Sequence, residues 1–293
     1  IFSILLALAI LFSTLPMAVS ADEQNGDLSV STSAELAAFA ASVNGGNDYA
    51  GKTVVLKADI NLGGENSPWT AIGNKSNKFK GTFDGNNHVV SGLYIAEGSY
   101  IGLFGYVDSG TVKNVTVRGS VSGSVSGSGN AAGVVGYLSA GKIENCGNNA
   151  SVSGGSAVAG VAGYVGGASV ISGCYNSGDI KGTTGYIGGV TGQHWRAGEV
   201  TDCYNSGTVT GPATVGGVTG GHKAASPVLT NCYNAGQIVD SAGRGNNIGA
   251  VIGASRGTNT NCYYIKGTGS DTKSGITETE TLSAAALGAA FTD

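Results

Sequence analysis

Cys174-Tyr-Asn-Ser-Gly178, Cys203-Tyr-Asn-Ser-Gly207 and Cys232-Tyr-Asn-Ala-Gly236 are near copies of one pentapeptide, and they decide the fold. Cys146 and Cys262 extend the column, so cysteines recur at intervals of 28, 29, 29 and 30 residues. A fixed period of roughly 20 to 50 residues marks stacked supersecondary units. An apolar residue stands three positions before four of these cysteines and another six after: Ile143/Cys146/Val152, Ile171/Cys174/Ile180, Val200/Cys203/Val209 and Leu229/Cys232/Ile238. One repeat earlier Val112, Val115 and Val121 fill the same frame, with valine at the cysteine's place. A column that accepts valine asks for a small hydrophobe, not for sulfur chemistry.

Each repeat holds a second apolar element: Gly102-Leu-Phe-Gly105, Gly133-Val-Val-Gly136, Gly160-Val-Ala-Gly163, Gly189-Val-Thr-Gly192, Gly217-Val-Thr-Gly220 and Ala250-Val-Ile-Gly253. Strands this short cannot bury their apolar faces alone, so the copies must stack into a continuous core. Asn148, Asn176, Asn205 and Asn234 lie two residues after the cysteines, where side-chain amides in register can form a ladder. Tyr175, Tyr204, Tyr233 and Tyr263 form an aromatic column beside them, read as packing or as a strip that stacks on sugars. If the strands lie about 4.8 Å apart, neighbouring cysteine Cβ vectors point the same way, so buried, mostly reduced thiols are expected.

Charged residues make up 12% of the 293-residue chain and glycine supplies 52 positions, which suits many tight corners. A net charge of −4 offers no basic stripe, so nucleic acid and anionic membranes are poor partners. Four prolines without a Gly-X-Y period exclude a collagen-like chain. Residues 1–16 are an apolar run, and Ala18-Val-Ser20 before Ala21 is a small-residue cleavage pattern. Residues 1–20 therefore read as a signal peptide whose basic start is missing, and 21–31 as a polar linker. Thr32-Ser-Ala-Glu35 has capping-box form and opens an amphipathic stripe of Leu36, Phe39 and Val43, predicting a capping helix over 32–44. The repeats run over 32–268, from Lys52 on with strand-like alternation, and 269–293 forms a C-terminal segment with a helical pattern in its last stretch.

Trp69-Thr-Ala-Ile-Gly73, the segment Phe79-Lys-Gly-Thr-Phe-Asp-Gly-Asn-Asn-His-Val-Val-Ser-Gly-Leu-Tyr-Ile95 and Ile101-Gly-Leu-Phe-Gly-Tyr106 resemble the opening of bacterial GLUG-motif repeat proteins. The Gly-Val-x-Gly and Asn-Cys-Tyr-Asn-x-Gly elements resemble the GLUG units themselves. The likeness covers about residues 32–293, and Leu287–Asp293 resembles the start of that family's closing segment. It implies an all-β, right-handed parallel β-helix (β-solenoid) of about 29-residue repeats, in large surface or secreted proteins that include IgA-specific metallopeptidases. It implies no active site, because such peptidases carry their chemistry in a separate domain.

A zinc peptidase needs His-Glu-x-x-His, and His88, His194 and His222 lack that context. His194 and His222 occupy matched places, each two residues after a Gly-Val-Thr-Gly element, where Val107, Leu138, Val165 and Ser255 stand in other copies. Two imidazoles one rung apart could share a metal, although no third ligand occurs in that column. β-Helix polysaccharide enzymes need clustered carboxylates, whereas Asp84, Asp108, Glu144, Asp179, Glu199 and Asp202 are scattered, and only Glu199 and Asp202 lie close. Asp84 reads most simply as part of an Asp-Gly turn. Trp195 and Arg196 interrupt a bland repeat and mark a ligand-contact spot. The sequon-like Asn74-Lys-Ser, Asn114-Val-Thr and Asn149-Ala-Ser carry little weight in a bacterial chain, and no glycine-rich segment ends in the Lys-Ser/Thr of a phosphate loop.

The resulting expectation is a cofactor-free bacterial surface or secreted module without catalysis, either a rigid spacer or an adhesive face for a host protein, matrix protein or glycan. A polysaccharide-processing β-helix enzyme and the accessory region of a secreted peptidase are the alternatives. A cleft uniting Glu144, Glu199 or Asp202 with a basic residue would favour the enzyme.

Overall fold

The computed structural model describes residues 21–22, 27–96, 98–122, 129–224, 227–243 and 247–279. Short strands wind into a parallel β-solenoid of about 8 turns, and three sheets run along its length. The turn containing Cys174 is representative. Ala157–Ala159 lies in one sheet, Ala162–Val165 and Ser169–Ser172 in the second, Tyr175–Asn176 and Ile180–Gly182 in the third. Each strand pairs in parallel with its counterparts above and below, for example Val152 with Ile180 and Ile171 with Val200. The repeat frame therefore becomes columns: Val112, Ile143, Ile171, Val200 and Leu229 stack in register and are fully buried. Strands of two to four residues persist only because neighbours on both sides complete their ladders.

The corner before each cysteine has one conformation throughout. Asn114, Asn145, Asp202, Asn231 and Asn261 have φ between 51° and 55°, and Gly173 takes the same place at 61°. Asn, Asp and Gly tolerate this left-handed region best, so they alternate there. A second contact explains why the Gly-x-x-Gly element opens on glycine. Gly133, Gly160, Gly189 and Gly217 lie against the amides of Asn148, Asn176, Asn205 and Asn234, and a Cβ at any of them would collide with that amide.

The helix Ser33–Asn44 closes the N-terminal end of the core. Thr32 Oγ1 accepts from the Glu35 amide at 3.2 Å, and the Thr32 amide donates to Glu35 Oε2 at 3.1 Å. Leu36, Phe39 and Val43 are fully buried. Phe39 meets Phe79 edge-on at 5.7 Å and Phe83 stacked at 6.1 Å, and Phe83 passes the contact to Phe104 at 5.1 Å.

The structure differs from the sequence reading near both ends. Asp27–Val30, placed in a linker, is a strand paired in parallel with Thr53–Leu56. Its alternation covers only four residues, with Val30 inward, which is too short to stand out from a polar stretch. Beyond residue 268, Ile276–Thr279 adds a further parallel strand to Cys262–Ile265. The signal-peptide reading of 1–20 and the helical pattern at the end of the chain lie outside the described residues.

Candidate functional site

The amides of Asn148, Asn176, Asn205 and Asn234 form a buried ladder. The Nδ2 of Asn148, Asn176 and Asn205 donates to the next Oδ1 at 2.7 Å, and all four donate to the carbonyl two residues onward at 2.8 Å, at Ala150, Gly178, Gly207 and Gly236. Tyr175, Tyr204 and Tyr233 stack beside it at 5.3 and 5.0 Å, tilted by 11° and 3°. Tyr175 also lies over Gly147, where a Cβ would strike its ring. Each ring in the stack covers a face of its neighbour. A sugar has no ring face within the stack to lie on.

Cys146, Cys174, Cys203, Cys232 and Cys262 are free and fully buried. Each thiol donates to the carbonyl two residues earlier, from 3.1 Å at Thr201 to 3.3 Å at Glu144 and Thr260. Burial pushes the Cys146, Cys174, Cys203 and Cys232 thiols well above the ordinary range, which suppresses thiolate chemistry.

At the opposite corner Val107, Leu138, Val165, His194 and His222 stack in register, all at most 1% exposed. The two imidazoles stand 5.7 Å apart between centroids, tilted by 59°. All four ring nitrogens are buried without a hydrogen-bond partner, as is Ser169 Oγ. Burial, reinforced by the His222 charge, lowers His194 to about 3, and burial lowers His222 to about 4. Both are therefore neutral near pH 7. Among the described residues no third His, Cys, Asp or Glu completes a metal set with them.

Five of the six carboxylates singled out in the sequence are drawn into separate contacts. Asp84 accepts from Asn114 Nδ2 and pairs with Lys113, each at 3.0 Å, and Asp202 accepts from Asn231 at 3.0 Å. Both thus belong to an outer ladder at the left-handed corners, which Asn145 and Asn261 continue at 3.3 Å. Asp108 pairs with Lys78 at 3.3 Å, Glu144 with Lys142 at 3.6 Å, and Asp179 Oδ1 accepts from the Thr208 amide at 3.2 Å. Glu199 is exposed, in register with Val170 and Val228. Glu144 lies in register with Ser172 and then Thr201, two rungs from the turn that holds Glu199 and Asp202, so the three do not share a cleft.

A second aromatic column lies on the sheet that carries the histidines. Tyr106, Tyr137 and Tyr164 stack at 4.5 Å each, tilted by 21° and 11°. Lys78 covers the Tyr106 ring at 5.2 Å. At the other end Tyr164, Gly166, Gly167, Ser139, Trp195 and Arg196 line a cleft of about 370 Å³. Burial raises the Tyr164 phenol, while its bond to Tyr137 and the nearby Arg196 charge oppose the rise. Trp195 is 43% exposed, and Lys223 sits over its ring at 5.3 Å and over Tyr186 at 5.7 Å. A larger groove of about 510 Å³ between the helix and Trp69 is lined by small residues such as Ala37, Ala41 and Pro68.

Residues 183–210 match the family described as the GLUG motif. That span contains Gly189-Val-Thr-Gly192, His194, Trp195, Arg196 and the Cys203 pentapeptide. The chain is similar to a "Putative Gly-rich membrane protein" of Evansella cellulosilytica, 37% identical over 67 residues. The match takes in 22% of this chain and spans only 8% of that relative's length. Its fold is that of a crystal structure named as a "putative immunoglobulin A1 protease" from Bacteroides ovatus, with a TM-score of 0.70 at 21% identity. That likeness covers 88% of this chain and 79% of the other.

Trp195 and Arg196, read from the sequence as an interruption of the GLUG repeat, do line a cleft, but with Tyr164 rather than with Tyr175, Tyr204 and Tyr233. The Tyr106 column went unread although it has a plain signal: tyrosine follows the closing glycine in Gly105-Tyr106, Gly136-Tyr137 and Gly163-Tyr164. The outer ladder had one too, since Asn, Asp or Gly precedes the column residue from Val115 to Cys262.

Proposed function

We propose that this chain is a surface or secreted solenoid module that presents a recognition face and performs no chemistry of its own. The observation that carries the reading is Trp195, a large aromatic side chain held outward beside a cleft. Tryptophan, tyrosine and arginine, the three types that meet at this cleft, are the residues most enriched at recognition hot spots. The GLUG motif and the fold shared with the Bacteroides chain support a surface or accessory setting. Apart from the exposed Glu199, the carboxylates singled out above are held by amides, lysines or a backbone amide rather than set as an acid and base pair. A glycan and matrix-protein array probed with the full chain tests the reading. Binding weakened by Trp195→Ala is the expected result, and no binding to any target would leave only a spacer.

A further inference from the structure

The cleft at the end of the Tyr106, Tyr137 and Tyr164 stack has a charge opposite to that of the chain. The protein carries a net −4, yet Arg196 lines this cleft and Lys223 stands over its tryptophan. Neither cation has a carboxylate partner among the described residues, unlike Lys78, Lys80, Lys113, Lys142 and Lys273. Asp108, the acid of the same face, is held by Lys78 at the far end of the stack, and Glu199 lies beyond the bend that follows Arg196.

We infer that this cleft binds an acidic sugar, a pyranose bearing a carboxylate, within a surface polysaccharide. The chemistry of each wall fits one part of such a ligand. The Trp195 indole offers an apolar surface for the C–H face of a sugar ring. Tyr164 and Ser139 supply hydroxyls that both donate and accept, matching sugar hydroxyls. Arg196 has the planar fork that takes a carboxylate through two parallel hydrogen bonds. Gly166 and Gly167 carry no side chains, which keeps the floor open. A volume of about 370 Å³ is near the lower limit for ligand pockets, suited to one or two sugar units of a longer chain. A neutral glycan would leave the unpaired guanidinium without a counter-charge.

The inference rests on the recognition reading above, and the test separates the two. The chain has two tryptophans, and Trp69 is 9% exposed against 43% for Trp195, so fluorescence change and quencher protection report chiefly on Trp195. The full chain is titrated with tetragalacturonate and with its methyl ester, the same sugar without charge. The acid is expected to bind at least tenfold tighter than the ester. Arg196→Gln is expected to abolish that preference, and Trp195→Ala to weaken both forms, read by calorimetry. Tyr204→Phe, on the other column, serves as the unchanged control. If Trp195→Ala does not fold, the loss of preference in Arg196→Gln decides alone. Equal affinity for acid and ester, or an unaltered preference in Arg196→Gln, overturns the inference. So does equal binding of a polyglutamate peptide, which would make the site a general anion patch. Absence of uronate binding with array hits elsewhere overturns the site and leaves the recognition reading standing; silence on both overturns both.

Discussion

Two inner corners of the same solenoid solve the repeat differently. At the cysteine corner successive turns repeat one solution: Val115 or a cysteine faces inward, each thiol meets a carbonyl, and from Cys146 to Cys232 the asparagine two residues on joins a continuous amide ladder. At the histidine corner three apolar turns, Val107, Leu138 and Val165, give way to His194 and His222, whose ring nitrogens find nothing. The first corner shows how repetition satisfies buried polar groups, because each residue's partner is its own copy one rung away. The second shows what happens when a polar residue enters a column built for apolar ones. Each neutral imidazole has one donor and one acceptor nitrogen, but at 5.7 Å between centroids and a tilt of 59° the two rings do not bring them together, so both remain unsatisfied and neutral.

That contrast is sharpest in acid. Both folded-state values, about 3 and about 4, lie below the ordinary 6.5. The unfolded chain therefore takes up protons first, and stability that is complete above pH 6.5 falls as pH drops towards 4. Each histidine approaches about 1.4 kcal/mol per pH unit below pH 6.5, so the pair lowers stability by about 4 kcal/mol between pH 7.5 and pH 5. Denaturant midpoints measured across pH 7.5 to 5, above the range where carboxylates titrate, are expected to show this fall. The His194→Leu, His222→Leu double variant, which restores the residue type of Leu138, should flatten the profile and raise the midpoint at neutral pH. A wild-type profile as flat as the variant's would mean that the rings are reached by water.

The next largest effect belongs to the satisfied corner. Asn205→Ala removes the acceptor of Asn176 Nδ2 and the donor to both Asn234 Oδ1 and the Gly207 carbonyl. Three buried groups lose a partner at once, an expected cost of about 3 kcal/mol. The loss should appear in thermal melts and as faster amide exchange in the turns on either side. Asn205→Asp is the sharper probe: it keeps the shape but removes the Nδ2 donor, so it should also destabilise. A neutral result for either would mean that water replaces the ladder.

Legibility in the sequence follows the same division. The cysteine and asparagine columns could be read because they recur in one frame, and recurrence in a stacked fold is contact. The three-sided course of each turn was less legible, since strands such as Tyr175–Asn176 and Tyr204–Asn205 span two residues and carry no periodicity of their own. The Asp27–Val30 strand was missed for the same reason. At the cleft, Trp195 and Arg196 were visible as departures from the repeat, whereas their neighbour Tyr164 comes from the preceding turn and only the rung register brings it there. The state of His194 and His222 was not legible at all, because a matched pair of histidines looks alike whether its nitrogens are solvated, metal-bound or orphaned.

The smallest expected effect tests whether cysteine matters at its own corner. Cys203 Sγ donates to the Thr201 carbonyl at 3.1 Å, and the Cys174 amide reaches the same sulfur at 3.4 Å, so the thiol does more than fill space. Thiol hydrogen bonds are weak, and the β-branched valine is at home in strands, so Cys203→Val should cost less than about 1 kcal/mol. Val115 already occupies the column one turn before Cys146. Cys203→Ser keeps a donor but replaces a buried soft atom by a small polar one and leaves a void, which should cost more than valine does. That order, valine milder than serine, is what a packing column requires. The reverse order in equilibrium denaturation would assign the cysteines to the polar network of the corner, and the valine at 115 would then be the exception to explain.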